Sequence, residues 1–249
     1  MSTATTNDNL TVLPMTEADI PLMTALLHKA YYSPTGAGIS GLLYHAPPSQ
    51  SSLDKTTAQR LHAFRTDPAA HFVKVVDCTS NAGNDDSATA APAIIACARW
   101  DIPRRHGHRP AANDNDDDDD QLIPDDELIP EFRPAVYRAL FGPLRAAHAE
   151  LMGARPHAHL ATLVTDPDEG RRGAGGMLVR WGLERADAEG LEAYVDASPA
   201  GEGLYARSGF EVVRRVGFDL GRWGGGEGVV EHVCMWRKPG PSPRKIVAA

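Results

Sequence analysis

The chain has 249 residues, 42% of them hydrophobic and 23% charged, and a formal charge of −8. That length gives one large domain or two small ones, with enough chain for a real core, and no apolar run approaches the ~18 residues of a membrane helix. Six of the negative charges fall in seven positions, Asp114 and Asp116 to Asp120, and the remainder carries only −2, which excludes the basic face of a nucleic-acid binder.

Residues 1–9 are polar and read as a disordered N-terminus without the basic and apolar regions of a secretory signal. Leu10 to Pro14 reads as a short strand. Thr16 and Asp19 form a helix-start box, and Ile20, Leu22, Met23, Leu26 and Leu27 follow at helical spacing. Residues 33–52, rich in Gly, Ser and Pro, read as a loop with short helical turns. His71 to Cys78 and Pro92 to Asp101 are β-rich segments that form a hairpin across the small polar stretch 79–91. Residues 103–128 are a low-complexity insertion whose Asp run repels itself and stays solvated; its field would also guide a cationic substrate.

Pro134 to Met152 is helical, with Val136, Leu140, Leu144, Ala147 and Leu151 in one apolar stripe, and Pro143 is expected to kink it. His157 to Asp166 is a strand, Gly170 to Gly176 a glycine-rich turn, and Ala174 to Ala188 a helix. Leu191 to Ala197 is a strand, and Gly201 to Ser208 a short helix. Phe210 to Val216 and Val229 to Trp236 are closing strands, and 239–249 is a flexible tail. The order β-α-β-β-α-β-α-β-α-β-β describes a mixed α/β domain and not an alternating doubly wound one. Cys78, Cys97 and Cys234 form no CxxC pair, so neither a disulfide framework nor a zinc site is expected, and a reducing, cytoplasmic location is. No metal is expected at His106, His108 and their neighbouring Asp residues.

The chemistry concentrates at Leu163-Val-Thr-Asp-Pro-Asp-Glu-Gly-Arg-Arg-Gly-Ala-Gly-Gly-Met-Leu178. A strand runs into a turn with glycines at 170, 173, 175 and 176, and then a helix begins. Backbone N–H groups at a helix N-terminus, with no Cβ atoms in the way, make an anion cradle. Arg171 and Arg172 add charge beside it, and a phosphate or pyrophosphate is the ligand group expected. No Lys-Ser/Thr follows the glycines, so this is not a P-loop. A dinucleotide fingerprint fails at Leu178, where a third glycine is needed, and a hairpin rather than a βαβ unit precedes the turn.

The segment resembles the GCN5-related N-acetyltransferase (GNAT) family, whose signature is [RQ]-x-x-G-x-[GA]. Gly173 and Gly175 match its glycines, and Thr165-Asp166-Pro167 precedes them; Gly170 stands where the family has Arg or Gln. A second block, Leu204-Tyr205-Ala-Arg-Ser-Gly209-Phe210, is similar to the family's L-Y-x-x-x-G-F step, with Ser198 where an Asn is frequent. The resemblance covers most of residues 10–238. It implies a single GNAT-like domain, a mixed, mostly antiparallel sheet flanked by helices, with 103–128 as an insertion.

The resemblance further implies transfer of acetyl from acetyl-CoA to a primary amine, with a small molecule as the favoured acceptor, directly within a ternary complex. Neither nucleic acid nor membrane is an implied partner. Pantetheine would follow Leu163, Val164 and Thr165, and pyrophosphate would rest on Arg171, Arg172, Gly173, Ala174, Gly175 and Gly176, with Ser198 nearby. A backbone N–H near Val164 would polarise the thioester carbonyl, and Tyr205 would protonate the departing thiolate. His159 is the candidate base, on the expectation that it shares a strand face with Ala161, Leu163 and Thr165; His157 is the second. The competing readings are a packed aromatic for Tyr205, a buried, hydrogen-bonded histidine for His159, and core packing for Trp100. For the whole chain they are a CoA-binding or catalytically degenerate protein on the same fold, an acetyltransferase for protein amino groups, or a nicotinamide-dinucleotide protein.

Overall fold

The computed structural model describes residues 9–32, 38–81, 92–103 and 122–241. The expectations for residues 1–8, for the Asp run and for the last eight residues of the tail lie outside them. Seven strands form one sheet among the described residues: β1 (Leu10–Pro14), β2 (Ala70–Asp77), β3 (Ala93–Asp101), β4 (His157–Thr165), β5 (Glu192–Ala197), β6 (Glu211–Asp219) and β7 (Val229–Arg237). Their order is β1-β2-β3-β4-β5-β7-β6. Every pairing is antiparallel except β4 with β5. The mixed, mostly antiparallel sheet is the fold class expected.

Among the described residues six α-helices accompany the sheet: α1 (Ile20–Tyr31), α2 (Gly38–Leu43), α3 (Gln50–Thr66), α4 (Pro134–Met152), α5 (Ala174–Glu189) and α6 (Pro199–Arg207). The capping box of Thr16 and Asp19 is present: Asp19 Oδ2 accepts from the Thr16 backbone N at 2.7 Å and from its hydroxyl at 2.9 Å. The stripe on α4 is buried at Val136, Leu140, Leu144 and Ala147. α3 is the element without a sequence expectation. Ser49 caps it by accepting from Ser52 N, and Leu53, Thr57, Leu61 and Phe64 are spaced for one face. Thr57 breaks the apolar run on that face, and most other positions are polar, which hid the pattern.

The two faces of the sheet bury different things. On one, Val73, Val75, Ala96, Ala98, Trp100 and Leu160 pack against α5 residues Leu178, Val179 and Leu183. Burying each large side chain contributes about 1.5–3 kcal/mol. Trp100 is fully buried, and its indole N–H donates to Leu178 O at 3.1 Å. It is core, not groove lining. Gly182 makes room for it: a Cβ there would lie 2.0 Å from the indole. On the other face, Phe72, Cys97 and Val164 meet α1 residues Ile20, Met23 and Leu26.

Candidate active site

β4 and β5 pair only at His157–Glu192, Ala158–Ala193 and His159–Tyr194. Past that point β4 keeps its ladder to β3 as far as Thr165, while β5 turns to β7. The two parallel strands therefore part, leaving the β5-facing edge of β4 unpaired from Leu160 onward. The Tyr31 hydroxyl, from the end of α1, donates to Leu163 O at 3.1 Å, so that carbonyl points into the opening. Backbone groups alternate sides along an antiparallel pair. Leu163 and Thr165 thus present N–H and C=O to the opening, and Val164 presents its own to Cys97 in the ladder. The donor expected near Val164 is narrowed to these two flanking residues.

The opening leads to the N-terminus of α5. Gly173 is the N-cap in the left-handed region (φ 84°) and no side chain caps the helix. The N–H groups of its first turn have no intrahelical partner, so Ala174, Gly175 and Gly176 present bare donors at the positive end of the helix dipole. A Cβ on Gly175 would come within 3.3 Å of Leu204 and 3.5 Å of Thr165 Oγ1. The glycine therefore sets the close meeting of β4, α5 and α6. These features fit a pyrophosphate-bearing ligand lying along β4.

The arginines beside the cradle have separate roles. Arg172 is bound within the protein, at 2.6 Å to Asp77 and 2.5 Å to Glu169. Hydrogen bonds from Thr79, and then Arg172, hold the Asp77 carboxyl at about 2. Arg172 thus ties the turn to the end of β2. Arg171 is exposed and has φ 63°, alone among non-glycine described residues in the left-handed region. That conformation costs about 1–2 kcal/mol, and it leaves the Arg171 charge available to a ligand.

Residues 131–210, which span α4 to α6, match the model of the Acetyltransferase (GNAT) family. Over that third of the chain the sequence is similar to the GNAT acetyltransferase family. Arylalkylamine N-acetyltransferase 2 from Aedes aegypti shares its fold at a TM-score of 0.59 and 11% identity, covering 94% of this chain and 100% of that one. The histone acetyltransferase HPA2 and related acetyltransferase from Corynebacterium glutamicum aligns at 0.54 and 20%, covering 95% and 99%. A GNAT superfamily phosphinothricin acetyltransferase from Sinorhizobium meliloti, in complex with AcCoA, aligns at 0.50 and 16%, covering 96% of each chain. None of the curated proteins matches the sequence. No helix among the described residues is long and apolar enough to cross a membrane.

Tyr205 lies on α6, which starts at the open end of β5 with Ser198 as its N-cap. Its ring is buried, edge-on to Phe210 at 5.9 Å, and fits only because residue 201 is glycine; a Cβ there would lie 2.8 Å away. Burial, and then the nearby Tyr31, push the Tyr205 phenol well above its usual value. It is a packed aromatic as well as a candidate acid. Its hydroxyl makes no hydrogen bond to a described residue and stays protonated at neutral pH.

His159 corrects the expectation drawn from strand parity. The ladder pairs Arg99 with Thr162 but Trp100 with Leu160, so Ala161 is a bulge. A bulge reverses the alternation beyond it. Leu160 and Leu163 both face α5, and His159 lies on the opposite face with Thr162 and Val164. There it is buried among rings, 4.6 Å from His148 and 5.8 Å from Tyr194. Desolvation, then the positive fields of His148, Arg145, His157 and Arg99, lower its pKa well below the usual imidazole value. The competing reading of a hydrogen-bonded histidine fails among the described residues, where its ring nitrogens bond to nothing. His157 differs: Nδ1 meets Arg155 O at 2.8 Å and Nε2 meets His148 Nε2 at 2.7 Å. His148 was not visible as a site residue, because nothing in α4 marks it as facing β4. No cluster among the described residues is arranged to hold a metal ion.

Proposed function

We propose that this protein is a GNAT acetyltransferase that transfers acetyl from acetyl-CoA to the primary amine of a small molecule, directly in a ternary complex. The observation that carries the reading is the unpaired edge of β4 running into the uncapped, glycine-lined N-terminus of α5. An extended chain of amides finds N–H and C=O partners at Leu163 and Thr165, and its diphosphate finds the bare N–H groups of Ala174 to Gly176 and the charge of Arg171. Bound there, acetyl-CoA supplies an activated acyl thioester. The Leu163 or Thr165 N–H then stabilises charge on the thioester oxygen, and Tyr205, kept neutral by burial, donates a proton to the leaving sulfur. His159 is the candidate to pass the amine proton on, directly or through water, although burial and its positive neighbours lower its pKa and weaken it as a base. Tyr31 must release Leu163 O before pantetheine can use it.

An amine acceptor agrees with the arylalkylamine activity named for the Aedes neighbour. The thermal midpoint tests the cofactor. Saturation at 100 times the dissociation constant stabilises by about 2.7 kcal/mol, which for this size is a rise of roughly 5–10 °C. That rise is expected with acetyl-CoA and not with NAD. No rise with acetyl-CoA would overturn the reading. Gly170 and Ser198, the two departures from the family pattern, favour a second reading, a cofactor binder without turnover; CoA release in the presence of amines separates it from the first.

A further inference from the structure

Arg60 is a cation that the transfer chemistry does not use. It lies on α3 and its stem is partly exposed, but its guanidinium is enclosed by α1 and the chain around Tyr44. Desolvation first, and then the like charge of Arg99, lower its pKa from the usual arginine value. Its hydrogen bonds are long and go to neutral atoms: Nη1 donates to Thr24 Oγ1 at 3.3 Å and to Thr56 O at 3.4 Å. Among the described residues no carboxylate pairs with it. Other partly buried arginines are treated differently. Arg99 holds Asp101 at 2.7 Å, Arg172 holds Asp77 at 2.6 Å, and Arg237 holds Asp187 at 2.7 Å. Glu131, whose charge Tyr44 feels, is taken up by Ser52 Oγ at 2.6 Å and Ser49 N at 2.9 Å.

An enclosed guanidinium without a counter-ion destabilises a fold. Its planar fork is pre-organised for the two oxygens of a carboxylate or phosphate. The surroundings connect it to the reaction site. Thr24 and His28 lie on one face of α1 and Tyr32, its C-cap, continues that line, so that the Thr24–Tyr32 span is about 12 Å. Tyr32 stacks on His28 with centroids 5.1 Å apart and meets Tyr44 edge-on at 5.7 Å. His28 Nε2 is buried without a hydrogen-bond partner among the described residues. Tyr31, the neighbour of Tyr32, is the residue that reaches Leu163 O in the opening. An aromatic wall thus runs from the reaction site toward an unmatched cation.

We infer that Arg60 receives a negatively charged group of the acceptor: the substrate class is an amine that also carries a carboxylate or phosphate, with a spacer lying along Tyr32 and Tyr44. The inference rests on the acetyl-transfer reading and sharpens it. It sets a local charge against the cationic acceptor that the Asp run would favour.

The experiment compares acceptors that differ only in the anion, phenylalanine against phenethylamine and phosphoethanolamine against ethanolamine, in the wild type, Arg60→Met and Arg60→Lys. CoA release is the readout. At least one anionic member is expected to exceed its uncharged partner at least tenfold in kcat/KM, with the difference abolished in Arg60→Met and partly kept in Arg60→Lys. Which pair responds distinguishes carboxylate from phosphate. Equal rates within both pairs, or a preference that survives Arg60→Met, would overturn the proposal. Two further measurements are independent of turnover. The thermal midpoint of Arg60→Met should equal or exceed that of the wild type; a large fall would mark Arg60 as a structural residue and end the proposal. Phenylacetate and inorganic phosphate are titrated directly, and one of them must saturate the wild type and not Arg60→Met. If acetyl-CoA fails to bind while that titration succeeds, the transfer reading falls and the anion site stands.

Discussion

Around β4, the face toward α5 and α6 is mostly Leu, Ile, Val, Ala and Gly, with Trp100 sealed beneath Gly182 and Tyr205 packed at its α6 end. The face toward α1, α3 and α4 carries His148, His157, His159, Arg99 and Asp101, with Tyr44 and Arg60 above them. In the proposed reaction the first face works mostly through its backbone, with Tyr205 as its side-chain acid. Its contribution is a bare helix end and a strand edge, which small residues leave uncovered. The second works through side chains whose protonation and charge are set by burial. A diphosphate-bearing cofactor can be held by fixed backbone dipoles, whereas selecting one amine requires side chains that differ from protein to protein.

The sharpest way to break the first face is Gly182→Ala. The new Cβ would overlap the indole of Trp100, an overpacking cost of about 3 kcal/mol or more. Thermal unfolding should show a fall of roughly 6–12 °C. Next is Tyr205→Phe, which keeps the ring packing and removes the proton donor. Stopped assays of CoA release should give a kcat lower by about 100-fold with the KM for acetyl-CoA unchanged.

On the second face, Glu131 joins α3 to the segment before α4. Burial raises its pKa, but the hydrogen bonds from Ser52 and Ser49 outweigh burial and hold it at about 2, against 4.5 normally. A depressed folded pKa stabilises above the unfolded value and is lost as pH falls between about 4.5 and 2. Glu131→Gln should therefore lower the midpoint by roughly 3–6 °C at pH 7, with the gap to wild type closing toward pH 2.

Gly173→Ala strains the left-handed N-cap by about 1–2 kcal/mol. It should lower the unliganded midpoint by roughly 2–8 °C and, by displacing the first-turn N–H groups, weaken acetyl-CoA binding by about tenfold in titration calorimetry. The smallest effect is expected for Tyr31→Phe. Removing the hydroxyl that occupies Leu163 O should tighten acetyl-CoA binding by about two- to fivefold, the scale of one net hydrogen bond. Weaker binding would mean that Tyr31 holds the ligand rather than competing with it.

The strand and helix order could be read from the chain because apolar periodicity and caps are local. Thr16 with Asp19, the stripe on α4 and the glycines before α5 each sit within one element, and the structure keeps them. α3 escaped because only Leu53, Leu61 and Phe64 mark its inner face, with Thr57 interrupting them in a polar run. The face of His159 was misjudged because one extra residue, Ala161, is invisible in the alternation yet inverts it. Arg172 looked like a ligand group until Asp77, 95 positions earlier, was found beside it.

By itself the sequence determined the order of the strands along the chain, the glycine-lined start of α5 at Gly173 to Gly176 and the placing of Tyr205 after β5, since these depend on residues close together in the chain. Tertiary structure alone decided which side of β4 is open, which face His159 occupies, that Arg172 is paired and that, among the described residues, no carboxylate pairs with Arg60. Those are properties of partners brought from distant segments, and a charge or a strand edge has no fixed meaning until its neighbours are in place.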